Sequence, residues 1–330
     1  MLLAFALQLR PAFLFVNSTT KPPAPSRAEK RGNAMSYSNQ KQTPLTMDEI
    51  ARRAPSALAT RPYDAMSAKY AHIPTLGVIE AMIAAGFQPF SALQSRTRIP
   101  GKGDFTKHML RFQHSDIGPL VVGDVIPEVV LVNSHDGTSA YKLIAGLYRL
   151  ICSNGMMVSD AEIDSINVRH TGNVVQDVLD GSHRLIADTQ NSIGTVRNWT
   201  KLQLTDGEQH AFAQSAHIVR FADAEGKVTT PITADQLLTS RRREDVGNDL
   251  WRTLNRVQEN VIAGGLSAVQ RDANGRRVRR VSTRRINGID QDVRLNRALW
   301  ELASKLAALK APSKPPTHEV PFVEAEVVVA

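Results

Sequence analysis

Cysteine is nearly absent from this chain of 330 residues, which contains a single one, Cys152. Internal disulfides are therefore excluded, and so are zinc sites built from several cysteines, which fits a reducing cytoplasm. The sequence also lacks any run of eighteen apolar residues, the length that a transmembrane helix needs. We therefore expect a cytoplasmic protein that does not associate with membranes.

The motifs of several enzyme classes are also missing. No Gly-x-x-x-x-Gly-Lys-Ser/Thr loop is present, and Gly101-Lys102-Gly103 lacks the strand and helix that a phosphate-binding loop requires on either side. Cys152 lies in an apolar stretch that is typical of a buried structural cysteine and not of a reactive thiol. Aromatic residues make up only 5% of the chain, so surfaces for stacking bases are few. Nothing in the sequence calls for a cofactor.

The two ends of the chain differ in composition from its middle. Residues 1–46 begin with a short apolar stretch and continue rich in Pro, Ser and Lys, which predicts a disordered extension, with a signal peptide as the alternative for its start. Residues 311–330 are Pro-rich, and we expect a mobile tail. Residues 47–310 are long enough to form a single domain with a buried core.

The first half of this domain predicts an antiparallel sheet with hairpins. Thr75 is predicted to cap a short helix that ends at Gly86. Strands are then predicted from Phe87, over Phe105–His114, over Glu128–Ser134 and over Ser139–Cys152. Asp136-Gly137 lies between the last two strands and is typical of a hairpin turn, and Asn154-Gly155 predicts a second one.

The second half predicts helices, and its basic part begins at about residue 233. Asn173, Thr205 and Thr233 are predicted helix caps. The clearest helix is predicted to begin near Asp245 and to end at Gly264-Gly265. Its apolar stripe consists of Val246, Leu250, Leu254, Val257 and Val261, and its polar face carries Asn248, Arg252, Asn255 and Glu259. With a last helix over about 292–310, this order predicts an α+β fold.

Positive charge is concentrated near the carboxyl end. Residues 238–310 contain 16 Lys and Arg against 8 Asp and Glu, a difference equal to the net charge of the whole chain, +8. Asn274-Gly275 lies in the most basic stretch and predicts a two-stranded ribbon, with Arg277, Arg279 and Arg285 on one face. Arginine forks match phosphate oxygens, so this ribbon is predicted to lie along a nucleic-acid backbone, and a solvated loop without a partner is the alternative. The candidate nucleic-acid-binding residues are Arg241, Arg242, Arg243, Arg271, Arg276, Arg277, Arg279, Arg280, Arg284 and Arg285.

His135 and Asp136 are the first candidates for chemistry, with His170 further along the chain. A His-Asp pair occurs in some metal-dependent phosphohydrolases, but two adjacent residues in a turn supply too few ligands to define a metal site. A solvated hairpin tip is the interpretation that we favour for both residues. We therefore predict no catalytic residue and no metal site, and keep these three as weak candidates.

Four stretches of the chain are specific in combination: NSHDGTSAYKLIAGLYRLICSNGM at 133–156, RHTGN at 169–173, RRREDVGNDLWRTLNRVQENVIAGG at 241–265 and LNRALWELA at 295–303. Together they resemble a family of phage- and plasmid-associated proteins described as domain of unknown function 932. The residues that carry the resemblance include Asn133, Ser134, His135, Asp136, Gly137, Arg149, Cys152, Asn154, Gly155, Asn255, Gln258, Glu259 and Asn260. The resemblance spans roughly residues 50–310 and implies an origin on mobile elements, but no activity or catalytic residues.

These observations together favour a non-catalytic protein that binds nucleic acid, with DNA as the expected partner and backbone phosphates as the points of contact. We expect a role in replication or recombination, of the single-strand annealing type, and assembly into a homo-oligomer. Two alternatives remain: a metal-dependent enzyme that acts on nucleic acid or nucleotides through His135 and Asp136, and an interaction protein that counters host defence.

Overall fold

The computed structural model describes residues 43–67, 70, 72–116, 125–149, 155–157, 166–168 and 173–311. All of them lie in one compact unit that begins at Gln42. Leu45 is buried and Thr46 caps the first helix, so the predicted boundary at residue 46 lies inside the fold. The predicted tail lies outside the described residues except for Ala311.

The described residues form seven α-helices and eight β-strands. The helices are α1 (Met47–Arg53), α2 (Thr75–Ala84), α3 (Val174–Lys201), α4 (Asp206–Phe221), α5 (Ala234–Leu237), α6 (Leu250–Ala263) and α7 (Ile289–Lys310). The strands are β1 (Phe87–Gln94), β2 (His108–His114), β3 (Val125–Asn133), β4 (Tyr141–Arg149), β5 (Gly155–Met157), β6 (Ile166–Val168), β7 (Ser267–Arg271) and β8 (Arg277–Ser282).

The strands of the first half form one antiparallel sheet in the order β1-β2-β3-β4-β5, with β6 also paired to β4. β7 and β8 form a separate two-stranded antiparallel sheet between α6 and α7. The predicted α+β fold is confirmed, including the sheet with hairpins, the helical second half and the two-stranded ribbon.

Both faces of the large sheet are covered, which the sequence of β2 does not predict. The two-residue alternation of β2 predicts a half-buried strand, yet His108–Gln113 are all buried. On one face the sheet contacts α2 and α3, and Gly181 of α3 lies so close to β4 that a Cβ there would be 2.9 Å from Leu143 Cδ1. On the other face Met109, Val130, Val132, Ile144 and Met157 form a smaller apolar cluster with Ile289 and Val293 of α7. The sheet is therefore a middle layer between helices.

The helix caps are mostly as predicted. The Asn173 side chain accepts a hydrogen bond from the Gln176 N–H, and Thr205 and Thr233 both form capping boxes. Thr75 is an exception, because it is the first residue of α2 and its hydroxyl makes no cap. The predicted start of α6 is also too early: Asp249 caps this helix, and Val246 is 65% exposed instead of belonging to the apolar stripe.

Within the described ranges, none of the helices combines the length and the apolar character that crossing a membrane requires.

Candidate nucleic-acid interface

The basic ribbon consists of β7, β8 and the turn that joins them. Asp272 organises this turn, because its carboxylate accepts hydrogen bonds from the N–H groups of Asn274 and Arg276, at 2.9 and 2.8 Å. Gly275 has a φ of 76°, a left-handed conformation that glycine adopts without strain. The predicted Asn-Gly turn is therefore present, and Asp272, three residues before the glycine, holds it.

The base of the ribbon is fixed to the end of α6. The Thr283 N–H donates to the Leu266 carbonyl, and the Leu266 N–H donates to the Thr283 hydroxyl. The Ile286 N–H donates to the Ile262 carbonyl. Gly264 ends α6 with a φ of 65°, and a Cβ at this position would lie 2.5 Å from the carbonyl carbon of Arg284. Only glycine permits so close an approach of two backbones, so the ribbon leaves the domain in a defined direction.

Seven arginines and one acidic residue, Asp272, lie between Leu266 and Gly288. All seven arginines are exposed: Arg271, Arg276, Arg277, Arg279, Arg280, Arg284 and Arg285. The hydrogen bonds that they donate go to neutral groups, from Arg279 to the Gln270 side chain at 2.7 Å and from Arg280 to Ser267 Oγ at 2.9 Å. None of the ion pairs in the described part of the chain involves an arginine of the ribbon. The ribbon therefore presents a concentrated positive charge to solvent.

The arginines of β8 lie on both faces of the ribbon, and not only on the face to which the sequence assigns Arg277, Arg279 and Arg285. Arg279 is opposite Gln270, and Arg280 is opposite Val269, so their side chains point to different sides. An irregularity after Gln270 makes Arg277 pair with Arg271 and interrupts the alternation at that point. A polyanion can therefore contact guanidinium groups along either face or around the edge of β8.

Arg241, Arg242 and Arg243 do not act as one surface group. Arg242 forms a two-pronged ion pair with Glu259 at 2.6 and 2.8 Å, and its side chain is only 11% exposed. Arg241 donates to Asn260 Oδ1 and to the Gly264 carbonyl. Arg243 is exposed. The sequence predicts that all three face phosphates, but the guanidinium groups of Arg241 and Arg242 are bound to the polar side of α6.

The polar side of α6 is itself buried, although the helical pattern alone favours a solvent-facing side. Asn255, Gln258, Glu259 and Asn260, all part of the family resemblance, are each at most 7% exposed. Burial raises the pKa of Glu259, while the charges of Arg242 and then Arg241 act in the opposite direction. Glu259 and Asn260 therefore hold the segment before α6 in place, while Gln258 donates to Asn296 of α7.

Two further arginines complete this interior network. Arg149, at the end of β4, forms an ion pair with Asp245, and both side chains are buried. Arg256 donates to the carbonyls of Asp245 and Gly247 and to Gln209 Oε1. The network therefore links the large sheet and α4 to the segment that leads into α6. The family resemblance includes Arg149 and Glu259, but no sequence pattern joined them in one network, since its members are far apart in the chain.

The His-Asp turn joins β3 to β4 as predicted, and Gly137 has the expected positive φ, 74°. The predicted solvated tip is wrong, however, because His135 is fully buried and Asp136 is 6% exposed. Lys102 lies 3.2 Å from Asp136. Burial alone would raise the pKa of Asp136, but hydrogen bonds from Thr138, Lys102 and Ser134 outweigh it and lower the pKa. Asp136 is therefore an ionised anchor of the hairpin.

His135 belongs to a buried polar cluster that converges on the hydroxyl of Thr75. The oxygen lies 3.0 Å from His108 Nε2, 3.2 Å from His135 Nε2, 3.0 Å from Asn133 Nδ2 and 3.1 Å from the Tyr141 hydroxyl. All five side chains are fully buried. Burial, and then the nearby His135, lower the pKa of His108 to about 3, so this ring is neutral at physiological pH. The cluster closes one end of the sheet with a hydrogen-bonded network.

His170, the remaining candidate for chemistry, lies outside the described residues, as do Cys152 and Asn154 of the family resemblance. Gly155 begins β5. Among the residues that the structure does describe, no three His, Cys, Asp or Glu side chains are grouped so that they could hold a metal ion.

Comparison of the sequence with known proteins shows which family this chain matches. Residues 62–300 match the family described as Domain of unknown function (DUF932). The chain is 39% identical to UPF0380 protein YafZ and 38% identical to UPF0380 protein YfjQ, both of Escherichia coli strain K12, in each case over 267 residues. These alignments cover 81% of this chain and 93% of each relative. No solved structure shows a significant match.

Proposed function

Since the chain belongs to the family described as Domain of unknown function (DUF932), whose description assigns no activity, we propose from its ribbon that it is a non-catalytic nucleic-acid-binding protein. The observation that carries this proposal is the set of seven exposed arginines on β7, β8 and the adjoining segments, whose guanidinium groups form none of the ion pairs found among the described residues. A surface of this charge attracts polyanions, of which nucleic acid is the most abundant in a cell.

The chemistry of the ribbon favours contact with phosphates and not with bases. Guanidinium groups match phosphate oxygens as two-pronged donors, and they lie on both faces of a narrow ribbon. No aromatic residue occurs between Leu266 and Gly288, so the ribbon has no platform on which bases can stack. Binding through such a surface is independent of sequence. We propose that the ligand is DNA and that the chain acts as a homo-oligomer in the cytoplasm. Its role is then in replication or recombination on mobile elements.

The burial of His135 and Asp136 supports the absence of catalysis at the hairpin. Catalytic groups must reach the substrate, while the side chain of His135 is enclosed by the Thr75 cluster and Asp136 is held by Lys102 and Thr138. Both side chains already have structural partners. The hairpin is therefore assigned a structural role, and binding is assigned to the ribbon.

A salt titration tests the proposal. The affinity of the full chain for one oligonucleotide is measured against salt concentration, for the wild type and for a variant with Arg276, Arg277, Arg279 and Arg280 replaced by Ala. Each phosphate contact contributes about −0.9 to the slope of log affinity against log salt on duplex and about −0.7 on single strands, so four contacts contribute about −3. The variant should lose that part of the slope and bind unrelated sequences about equally weakly.

A matched control separates the ribbon from net charge in general. Replacing Arg52, Arg184, Arg197 and Lys201 with Ala removes the same charge from exposed positions on α1 and α3. This control should keep most of the wild-type slope, and thermal melting should show that both variants fold. An unchanged slope in the folded ribbon variant would remove the ribbon from the binding surface. No binding of single- or double-stranded DNA by the wild type at low salt would refute the proposal as a whole.

A further inference from the structure

The basic ribbon carries guanidinium groups on two opposite faces at once. The Arg279 side chain donates to Gln270 Oε1 at 2.7 Å, directly across the ribbon, so it lies on one face. The Arg280 side chain donates to Ser267 Oγ at 2.9 Å on the other face, because neighbouring residues of a strand point to opposite sides. Both acceptors are neutral, so neither hydrogen bond compensates a positive charge.

Both faces are open to a ligand at the outer part of the ribbon. Residues 271–280 are all exposed, and even the apolar side chain of Val278 is 59% exposed. The single carboxylate between Leu266 and Gly288 belongs to Asp272, and it is held by two backbone N–H groups of the turn. A polyanion that approaches from either side therefore meets positive charge.

The dimensions of the ribbon distinguish between the two grooves of DNA. Stacked sheets lie about 10 Å apart, so a ribbon with side chains on both faces is about 10 Å thick. The major groove of B-form DNA is about 12 Å wide, and the minor groove is about 6 Å wide. The six residues of β8 extend over about 20 Å, which corresponds to about six base pairs. The ribbon therefore fits the major groove over roughly half a helical turn and is too thick for the minor groove.

A duplex suits this ribbon better than a single strand does. Surfaces that bind single strands combine positive charge with aromatic side chains on which the bases stack. No aromatic residue occurs between Leu266 and Gly288. In a duplex the bases stay stacked on one another, so the protein needs no such platform. A groove also offers a line of phosphates on each side, whereas a single strand offers only one line.

We propose that the ribbon enters the major groove of duplex DNA, with Arg279 facing the phosphates of one strand and Arg280 facing those of the other. This inference rests on the proposed function and adds the form of the DNA and the groove. One edge of the ribbon then points toward the base pairs, while its two faces lie along the two backbones. Both faces contribute to binding at the same time, through contacts that do not depend on base sequence.

The first test compares ligands of one sequence: a short DNA duplex, its single strand and the corresponding RNA duplex. Fluorescence anisotropy measures their affinity for the full chain at one salt concentration. The DNA duplex should bind most tightly. The RNA duplex carries the same phosphates, but its major groove is deep and narrow, so it should bind about tenfold more weakly or less. Netropsin, which fills the minor groove of A·T-rich DNA, should not displace the chain from such a duplex.

The second test removes one arginine from each face. If both faces contact phosphates together, Arg279→Gln and Arg280→Gln should each reduce the salt slope on duplex DNA by about 0.9, and the double variant by about 1.8. The matched control, Arg184→Gln with Arg197→Gln, removes two charges from exposed positions on α3 and should keep the wild-type slope. Thermal melting verifies that every variant folds.

The results distinguish this inference from the proposed function. Ribbon-dependent binding that is as tight for the single strand as for the duplex would overturn the inference and leave DNA binding standing. The same conclusion follows if the RNA duplex binds as tightly as the DNA duplex, if netropsin displaces the chain, or if only one of the two arginines changes the slope. An unchanged slope in the double variant would place the DNA elsewhere on the chain and would also overturn the inference. Absence of binding to any form of DNA would instead refute the proposed function, and the inference with it.

Discussion

Replacing Thr75 with valine removes the hydroxyl on which four polar groups of the buried cluster converge. Valine has nearly the shape of threonine, so the change tests the hydrogen bonds and not the packing. A hydroxyl donates one hydrogen bond and accepts two. In one arrangement the Thr75 hydroxyl accepts hydrogen bonds from Asn133 Nδ2 and from the Tyr141 hydroxyl. Its own hydrogen bond is then donated to either His108 or His135.

The expected cost follows from the groups that lose a partner. The Asn133 amide donates to the Thr75 hydroxyl at 3.0 Å and loses this acceptor in the valine variant. One of the two histidines also loses its donor, while Tyr141 retains the Ile73 carbonyl at 3.2 Å. Leaving a buried polar group without a partner costs about 1–3 kcal/mol, so two such groups lower the free energy of unfolding by about 2–6 kcal/mol.

Urea unfolding of the full chain, followed by circular dichroism, measures this loss, and Thr75→Ser is the matched control. Serine keeps the hydroxyl and removes one methyl group, which should cost about 1 kcal/mol. Thr75→Val should therefore be the less stable variant of the two, by about 1 kcal/mol or more. If valine proves as stable as the wild type, or more stable than serine, Thr75 does not organise the cluster.

Two further predictions concern stability. The pKa of His108 falls to about 3 because the ring is buried, so below pH 6.5 the unfolded chain takes up a proton that the folded chain does not. This contribution to stability is complete above pH 6.5 and should decline by about 1.4 kcal/mol per pH unit between about pH 6 and 4. The prediction would be contradicted if the urea midpoints of the wild type and of His108→Gln changed with pH by the same amount over this range. Gly264→Ala should cost about 3 kcal/mol or more, since its Cβ would meet the Arg284 backbone at 2.5 Å and the residue has a φ of 65°. Gly194→Ala lies at an exposed position in α3 where a Cβ meets nothing within 4 Å, so it should stabilise the fold by about 0.5–1 kcal/mol. Thermal melting that finds Gly264→Ala more stable than Gly194→Ala would refute the argument.

The elements that the sequence predicted correctly are those specified by neighbours along the chain. Asp136-Gly137 and Asn274-Gly275 make turns because glycine accepts a positive φ wherever the turn is placed. The Thr205 side chain caps α4 by accepting a hydrogen bond from the Glu208 N–H, three residues along the chain. The Asn173 side chain caps α3 in the same way, by accepting from the Gln176 N–H. The ribbon, with its charge, belongs to the same group, since its two strands are adjacent in sequence and stay exposed.

Burial was decided only by the tertiary structure. His135 and Asp136 occupy a polar turn, which locally favours solvent, but residues from before β1 cover the tip and supply the Thr75 hydroxyl. Arg242 lies in a run of three arginines that resembles a surface patch, and Glu259 on the next helix draws it inside. The apolar cluster on the second face of the sheet likewise forms only because α7 returns to lie against β3 and β4, which precede it by about 150 residues. Chain order does not reveal such distant partners, because the solvation and pairing of a charged side chain depend on what the fold brings next to it.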